Sequence, residues 1–366
     1  MAAPSARSLL REVHRACRDT TGAVAIECAV AARLHQAVAF DAWCALTIDP
    51  ASVLPTGGFH ECGVPAPLLP HLVQIEAHAD DPLALPTLAR GRARVHTLSG
   101  VTAGRLDTAR HYREVLAPAG LAHELRVAFT TTAGIWGVLV FFRGADVADF
   151  TPTEIALIDT ATAGVADAIR RELVLTEAGA SDAVDAPGVV LLDAELTPLA
   201  VTSAAQRWLA EIDDGHDAAR ALPWAVLSLA ARALGGEHGP WIARVRTRAG
   251  RWISLYAERL ATDPVEVTMI VEPCRPTEIA QIIADVYQLT RRERDIVRLL
   301  STGHSRADIA RLLVVSSHTV DDHIKRVYSK LGVRSRPELT AKIFFDQHIP
   351  RIHHDVPVGG TGWFLR

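Results

Sequence analysis

Residues Leu289–Arg336 read LTRRERDIVRLLSTGHSRADIARLLVVSSHTVDDHIKRVYSKLGVRSR and contain the start and stop signals of three short helices. Thr290 and Ser305 each stand three positions before an acidic residue, which is the pattern of a capping box at a helix start. Ser316 can cap a third helix, and Gly303 predicts the end of the first one because glycine tolerates a left-handed backbone. The stretch therefore predicts an all-α domain.

The third predicted helix has one apolar face and one polar face. Its apolar residues are spaced four, three and four positions apart, as in a buried stripe: Val320, Ile324, Val327 and Leu331. The opposite face carries His318, Asp321, Asp322, Lys325 and Ser329. From Ser316 to Leu331 the rod is about 24 Å long, enough to lie across a DNA major groove. A helix, a tight turn and a polar-faced second helix are the parts of a helix-turn-helix reader.

Four motifs recur at fixed spacing in this stretch. They are L-T-x-R-E from Leu289, G-x-S-x-x-x-I-A from Gly303, S-x-x-T-V-x-x-H from Ser316 and K-L-G-V-x-S-R from Lys330. Together they resemble the DNA-binding domain of LuxR-type bacterial transcriptional regulators, and this many matches at fixed spacing is a specific signal. The resemblance implies a homodimeric regulator that binds double-stranded DNA, and also RNA polymerase if it is an activator.

The predicted DNA contacts lie at the start and on the polar face of the third helix: Ser316, His318, Thr319, Asp321, Asp322, Lys325, Arg326 and Lys330. The resemblance implies that Ser316 and Thr319 hold the helix against phosphates and that Lys325 faces bases or backbone. Asp321 departs from the family, many members of which carry Lys or Arg there. A carboxylate at Asp321 or Asp322 can accept from a cytosine amine, or it can repel phosphates and sharpen discrimination. Asp322 can equally be a solvated surface residue.

The charge distribution favours nucleic acid as the partner of this segment. Residues 289–345 hold twelve lysines and arginines against six acids, a net charge of +6, whereas the whole chain carries −4 and the remainder therefore −10. All three lysines of the chain, Lys325, Lys330 and Lys342, lie in this segment. A basic domain on an acidic body predicts DNA binding through one end, with an affinity that falls as salt rises.

Length and composition restrict the remaining possibilities. A chain of 366 residues predicts two or three domains. No apolar run approaches the length of a membrane span, and the first twenty residues lack the apolar block of a secretion signal, so we expect a cytoplasmic protein. The sequence has no phosphate-binding loop, no G-x-S-x-G elbow and no H-E-x-x-H, and its five cysteines form no C-x-x-C pair. We therefore expect neither an enzyme, a metal site nor a cofactor.

The first half of the chain predicts an α+β domain. Two helical stripes cover residues 7–40, followed by a strand at Ala42–Ile48, a hairpin of Val127–Thr130 with Gly134–Phe142, and one long closing helix from Phe150. This order, together with the strand Gly134–Phe142, resembles a GAF domain, which implies a small-molecule sensor or a protein-contact module. Five histidines lie in the segment expected to border a pocket: His60, His71, His78, His96 and His111. No ligand spacing recurs among them, so we interpret most as surface or loop residues.

The second half predicts another α+β domain. Strands at Gly188–Asp193 and Leu196–Val201 are followed by helices at Ser203–Ile212 and Trp224–Leu234 and by three strands between residues 241 and 272. This order resembles a PAS domain. Three tryptophans can either line a cavity or fill the core, and we favour the core: Trp208, Trp241 and Trp252.

The resulting domain map has a GAF-like domain at residues 1–175, a linker at 176–187 and a PAS-like domain at 188–274. A connecting helix at 275–287, a LuxR-type domain at 288–346 with a fourth helix near 338–345, and a tail at 347–366 complete it. We interpret the protein as a one-component, signal-responsive transcription regulator with a possible small-molecule ligand. The alternatives are a redox sensor whose front domain holds haem or flavin, a σ-factor-like reader, and front domains that contact only protein.

Overall fold

The computed structural model describes residues 6–61, 63–77, 81–91, 93–132, 134–175, 186–212, 222–235, 241–261, 264, 266–274, 287, 289–301 and 303–339. These residues form two compact units. The front unit holds the described residues up to 248 together with 252–273, and the reader unit holds 249–251 and the described residues from 274 onward. Each unit is described by itself.

The first domain of the front unit is built on an antiparallel sheet of five strands. The strands are β1 (Ala42–Asp49), β2 (Leu54–Glu61), β3 (Val95–Thr97), β4 (Leu121–Thr131) and β5 (Gly134–Gly144). Their order is β2-β1-β5-β4-β3. The predicted strand and hairpin are both confirmed, and the hairpin is longer than expected because pairing continues as far as Leu121 with Gly144.

Helices cover both faces of this sheet. They are α1 (Ala6–Asp19), α2 (Ala23–His35), α3 (Leu69–Glu76), α4 (Leu85–Arg90), α5 (Leu98–Val101), α6 (Pro152–Ala161) and α7 (Val165–Leu175), with a π-helical turn at Tyr112–Leu116. The single long closing helix expected from the sequence is wrong. Thr162 ends α6 by donating its hydroxyl to the carbonyl of Ile158, and Gly164 takes a φ of +86°, so the chain bends before α7 begins.

The second domain repeats the same strand order on a second antiparallel sheet, β7-β6-β10-β9-β8. Its elements are β6 (Gly188–Asp193), β7 (Pro198–Val201), α8 (Ser203–Ala210), α9 (Trp224–Leu234), β8 (Trp241–Arg246), β9 (Trp252–Leu260) and β10 (Glu266–Pro273). The predicted elements are confirmed with small shifts at their ends. Trp208 is a buried core residue, and Trp241 packs at the margin of the core.

The two domains of the front unit share one core. Helix α9 is buried along nearly its whole length because it packs on its own sheet and also against β2 and α3 of the first domain. A buried ion pair joins Asp49 at the end of β1 to Arg244 on β8, with 3.1 Å between Oδ1 and Nη2. Gln74 on α3 donates to the carbonyl of Ala194 at 2.9 Å. The front unit is therefore one packed body.

The described part of the reader unit contains three complete helices, α10 (Arg291–Ser301), α11 (Arg306–Leu313) and α12 (Ser317–Leu331), and residues 336–339 are helical as well. Every apolar residue of the predicted stripe on α12 is buried, as are Ile296 and Leu300 on α10 and Ile309 on α11. The three helices therefore close around a small shared core.

Several predicted segments fall outside the described residues. They are the linker except residues 186–187, the connecting helix except residue 287, the fourth helix beyond Leu339, and the C-terminal tail. His78 and the side chain of His60 also fall outside. Within the part of the chain that is described, no helix combines the length and apolar character needed to cross a membrane.

Candidate DNA-binding interface

The start of α10 is fixed by a capping box and by an ion pair to α12. The backbone N–H of Thr290 donates to Glu293 Oε2 at 2.7 Å, and the N–H of Glu293 donates to the Thr290 hydroxyl at 3.3 Å. Lys330 Nζ donates to the same carboxylate at 2.7 Å. Burial alone would raise the pKa of Glu293, but the hydrogen bonds from Lys330 and Thr290 outweigh it and lower the pKa. The Glu293 carboxylate therefore links the start of α10 to the C-terminal part of α12.

Two arginines hold the carbonyls at the ends of the shorter helices. Arg292 Nη2 donates to the carbonyl of Leu313 at 2.6 Å. Arg336 donates to the carbonyls of His304 at 3.1 Å and Leu300 at 2.5 Å. Carbonyls at a helix end have no partner within the helix, so these contacts satisfy them. Arg292 and Arg336, both in the motif stretch, thus stabilise the fold of this unit.

The turn between α11 and α12 sets the position of α12 relative to α11. Ser305 starts α11 with the predicted capping box, since its hydroxyl accepts from the N–H of Asp308 and the Asp308 carboxylate accepts from the N–H of Ser305. The helix ends at Val314, whose φ of 53° and ψ of 52° are left-handed. This conformation is strained for a β-branched residue. The side chain of Val314 is 88% exposed, so solvent surrounds it at this point.

Helix α12 begins and ends as the sequence predicts. The Ser316 hydroxyl accepts from the N–H of Thr319 at 3.1 Å and lies 2.8 Å from the Thr319 hydroxyl. Gly332 ends the helix with a φ of +65°. The capped start leaves amides of the first turn directed outward, and a helix N-terminus attracts anions such as phosphate.

The exposed face of α12 carries most of the predicted contacts. Lys325 and Arg326 are exposed, and within the described residues neither forms an ion pair with a carboxylate. His318 Nε2 lies 3.9 Å from Asp322 Oδ2, a loose contact between exposed side chains. Two cations on this face are therefore available to a partner. Lys330 differs, because its ammonium group is bound to the buried Glu293.

Asp321 is held by a residue that the sequence analysis did not select. Arg306, the first residue of α11, places its Nε 3.2 Å from Asp321 Oδ1. The Arg306 side chain is 66% exposed, so the rest of its guanidinium faces solvent beside α12. One feature of the sequence indicates this contact: Arg306 directly follows the cap residue Ser305, at the positive end of the helix dipole. A cation is unfavourable at that position unless a carboxylate lies nearby.

Three described histidines of the segment expected to border a pocket, His71, His96 and His111, contact groups of the same domain. His111 is fully buried, with Nδ1 2.7 Å from Asp81 Oδ2 and Nε2 2.7 Å from Glu124 Oε2. Arg126 joins Glu124 to Glu76 in the same cluster, at 2.7 and 2.6 Å. We call these five residues the buried network. Burial would lower the pKa of His111, but the charge of Glu124 and the hydrogen bonds raise it to about 9. Among the described residues no group of His, Cys, Asp and Glu has the arrangement of a metal site.

One crevice lies between the two domains of the front unit. It has an empty volume of about 280 Å³, part of it open to solvent, and borders β2, α3, α4 and α9. Its polar lining includes Glu76, Ser228 and Arg232. Its enclosed part measures only about 10 Å³, which is room for about one water molecule. Pockets for drug-sized ligands usually measure about 300–1,000 Å³, so this crevice is far too small for such a ligand.

Comparison with known proteins identifies the reader unit. Residues 287–343 match the family described as bacterial regulatory proteins, luxR family. The putative HTH-type transcriptional regulator Rv0890c of Mycobacterium tuberculosis is 55% identical over 51 residues, which are 14% of this chain and 6% of that protein. The nitrate/nitrite response regulator protein NarL of Escherichia coli K12 is 44% identical over 54 residues, 15% of this chain and 25% of that protein. The C-terminal segment is a LuxR-family helix-turn-helix domain.

The similarity to these relatives spans a quarter or less of their length. Among solved structures, Escherichia coli SdiA matches with a TM-score of 0.36 and 12% identity over 94% of this chain and 99% of that chain. A Vibrio cholerae VqmA dimer matches with a TM-score of 0.21 and 17% identity over 45% of this chain and 88% of that chain. Similarity at this level does not establish a shared fold for the whole chain.

Proposed function

We propose that this protein is a sequence-specific, DNA-binding transcription regulator that acts as a homodimer and responds to a signal through its front unit. The observation that carries the proposal is the exposed face of α12. It presents two cations, Lys325 and Arg326, that have no carboxylate partner within the described part of the chain, beside a capped helix start in a LuxR-family domain. No catalytic step is required for this function.

In this mechanism the helix start and the cations have different tasks. Ser316, Thr319 and the first-turn amides hold α12 against phosphates, which fixes its register but carries no sequence information. Lys325, Arg326 and His318 lie on the face that enters the major groove, with Asp321 and Asp322 beside them. Lys330 acts through Glu293 and keeps α12 in place. Two copies would read half-sites about one helical turn, roughly 34 Å, apart.

The front unit supports a sensor assignment. Two five-stranded antiparallel sheets with the same strand order and helices on their faces are consistent with the GAF-like and PAS-like domains expected from the sequence. A signal would act by favouring one arrangement of the domains over another. RNA polymerase would be a further partner if the protein is an activator.

DNA selection tests the DNA-binding function. The purified full chain is incubated with a random DNA pool at two salt concentrations, beside Lys325→Ala, Asp321→Ala and the control Arg259→Ala, which removes a positive charge from an exposed position on β9. We expect an enriched pseudo-palindrome that Lys325→Ala weakens about tenfold or more and that the control leaves unchanged. If the full chain and residues 275–366 both fail to enrich any sequence, the proposal is wrong.

Absorbance of the purified protein tests the haem or flavin alternative. No specific observation favours that alternative, since His111 and His71 are both engaged with carboxylates of the chain. A visible absorption band that copurifies with the front unit would support it. A protein without such a band that still selects DNA would support regulation without a bound chromophore.

A further inference from the structure

Four apolar side chains form a continuous row across the outer face of the second sheet. Ile270 on β10 pairs in register with Val189 on β6 and with Tyr256 on β9, and Tyr256 pairs with Ile242 on β8. Val189 and Ile270 are each 41% exposed and Ile242 is 40% exposed, while Tyr256 is half-buried. We call these four residues the outer row.

The outer row lies on the face opposite the core. Side chains alternate between the two faces of a strand, and the residues that flank the row in sequence are buried: Val190, Ala243, Leu255, Ala257, Met269 and Val271. Single exposed apolar residues are normal, but a contiguous exposed row is typical of an interaction surface.

We propose that the outer row is the surface through which a second copy of this chain binds. The proposal deepens the homodimer part of the proposed function by assigning it a surface. The row is self-complementary about a two-fold axis that runs parallel to the strands between two facing sheets. That axis places Ile270 opposite Tyr256 of the second copy and Val189 opposite Ile242 of the second copy. A two-fold contact uses the same patch on both subunits, as this arrangement does.

The neighbouring polar residues fit the same axis. Thr268 and Glu258 are paired in register one step along the strands from the outer row and lie on the same face. The axis places the Thr268 hydroxyl opposite the Glu258 carboxylate of the second copy, so a donor meets an acceptor. The Glu258 carboxylates of the two copies therefore do not face each other, and no repulsion between them opposes association.

The size of the surface determines how strong this contact is. The contact surface on each copy consists of the outer row and its neighbouring residues on four strands. With strands spaced about 4.8 Å apart, its area is roughly 400 Å² per copy. A stable interface buries about 800 Å² per partner. The dimer is therefore weak and forms in free solution only at roughly micromolar protein concentrations. Two copies on adjacent half-sites would populate it further, because tethering raises their effective concentration.

Sedimentation of the full chain over a range of concentrations, without DNA, tests the surface. The variants are Ile242→Arg, Val189→Asp and an equimolar mixture of the two, and the control is Val147→Arg, at a position 40% exposed in the first domain. We expect self-association of the wild type, at least a tenfold rise in the dissociation constant for each single variant, and no change for the control. The mixture should restore association, since the axis pairs the new arginine with the new aspartate.

Each contrary outcome overturns the proposal. A wild type that stays monomeric up to about 0.1 mM, a single variant that associates like the wild type, or a mixture that does not recover would each exclude this surface or this axis. Circular dichroism melting curves check that the variants are folded. Because the assay contains no DNA, a failed DNA selection and a failed interface remain distinguishable.

Discussion

The first domain of the front unit contains a cluster of ion pairs in its interior, the buried network, whereas most ion pairs described for the reader unit lie at its surface. In the buried network, His111 and Glu124 are fully enclosed and each charge has its partner within hydrogen-bond distance. On α12, Lys325 and Arg326 face solvent, and Asp321 shares a half-exposed pair with Arg306.

This difference separates charges that maintain a fold from charges that are free to bind. Removing one member of a buried pair leaves an uncompensated charge at low dielectric, which is costly. Exposed pairs contribute little to stability because water and salt screen them. Charge changes in the front unit should therefore alter stability, and charge changes on α12 should alter DNA binding.

The largest effect on the free energy of unfolding is expected for a substitution at the centre of the buried network. His111→Leu leaves the buried Asp81 without its cation and leaves Glu124 with Arg126 as its remaining cation, so we expect the front unit to lose about 3–5 kcal/mol of unfolding free energy. Urea denaturation followed by tryptophan fluorescence measures this loss. A loss below about 1 kcal/mol would show that the network contributes little to stability.

The pH dependence of the same network has a defined sign. The folded pKa of His111 is raised to about 9 from an ordinary value of 6.5, so its contribution is complete below about pH 6.5 and is lost as the pH rises through 9. The pKa values of Asp81 and Glu124 are lowered, so their contribution is lost in acid. His111→Leu should remove the decline in stability between pH 6.5 and 9.

Lys330 and Lys325 provide a direct contrast within one helix. Lys330→Ala leaves the nearly buried Glu293 without its ammonium partner, and we expect a loss of about 1–3 kcal/mol in the stability of the reader unit. Lys325→Ala should change that stability by less than about 0.5 kcal/mol while weakening DNA binding. Thermal melting and fluorescence anisotropy with the selected DNA separate the two effects. Equal stability of both variants would contradict a structural role for Lys330.

A smaller stability effect is expected at Glu27, a fully buried residue on α2. Neither carboxylate oxygen has a hydrogen-bond partner among the residues that the structure describes, and burial raises the pKa of Glu27 well above 4.5. The unfolded chain ionises at a lower pH than the folded one, so this group lowers stability increasingly as the pH rises above about 4.5. Glu27→Gln should therefore stabilise the front unit at pH 8 by about 1 kcal/mol. A denaturation series from pH 5 to 8 measures the trend, and an unchanged slope would contradict it.

The smallest effect is expected at the exposed pair of Arg306 and Asp321. If Arg306 contacts a phosphate, Arg306→Ala should lower the dependence of log affinity on log salt by about 0.9. Asp321→Ala should then have no further effect in the Arg306→Ala background, because Asp321 acts by orienting the guanidinium. A changed base preference in that double variant would instead show that Asp321 reads a base directly.

Local patterns in the sequence were sufficient to predict the reader unit. The capping boxes at Thr290 and Ser305, the cap at Ser316 and the buried stripe of α12 are confirmed, because each depends on residues within one or two helical turns. The DNA contacts themselves stay predictions. The ion pair of Lys330 could not be predicted from the neighbouring residues, since its partner Glu293 is 37 residues away in the chain.

Contacts between distant segments account for what the sequence did not show in the front unit. Asp81, His111 and Glu124 come from separate loops and strands, and nothing in their spacing predicts that they meet. The break between α6 and α7 at Gly164 could not be predicted, because the helical spacing of apolar residues is the same before and after Gly164.

By itself the sequence predicted many of the strands and helices that the structure describes and the LuxR-family helix-turn-helix motifs of residues 289–336, because periodicity, caps and motif spacing are local properties. Tertiary structure alone decided that the two front domains share one core, that His111 is enclosed between two carboxylates, and that four apolar residues align across the second sheet. Each of these depends on strand register and on side chains meeting across long stretches of chain. Packing free energy selects such contacts, and no local pattern in the sequence specifies them.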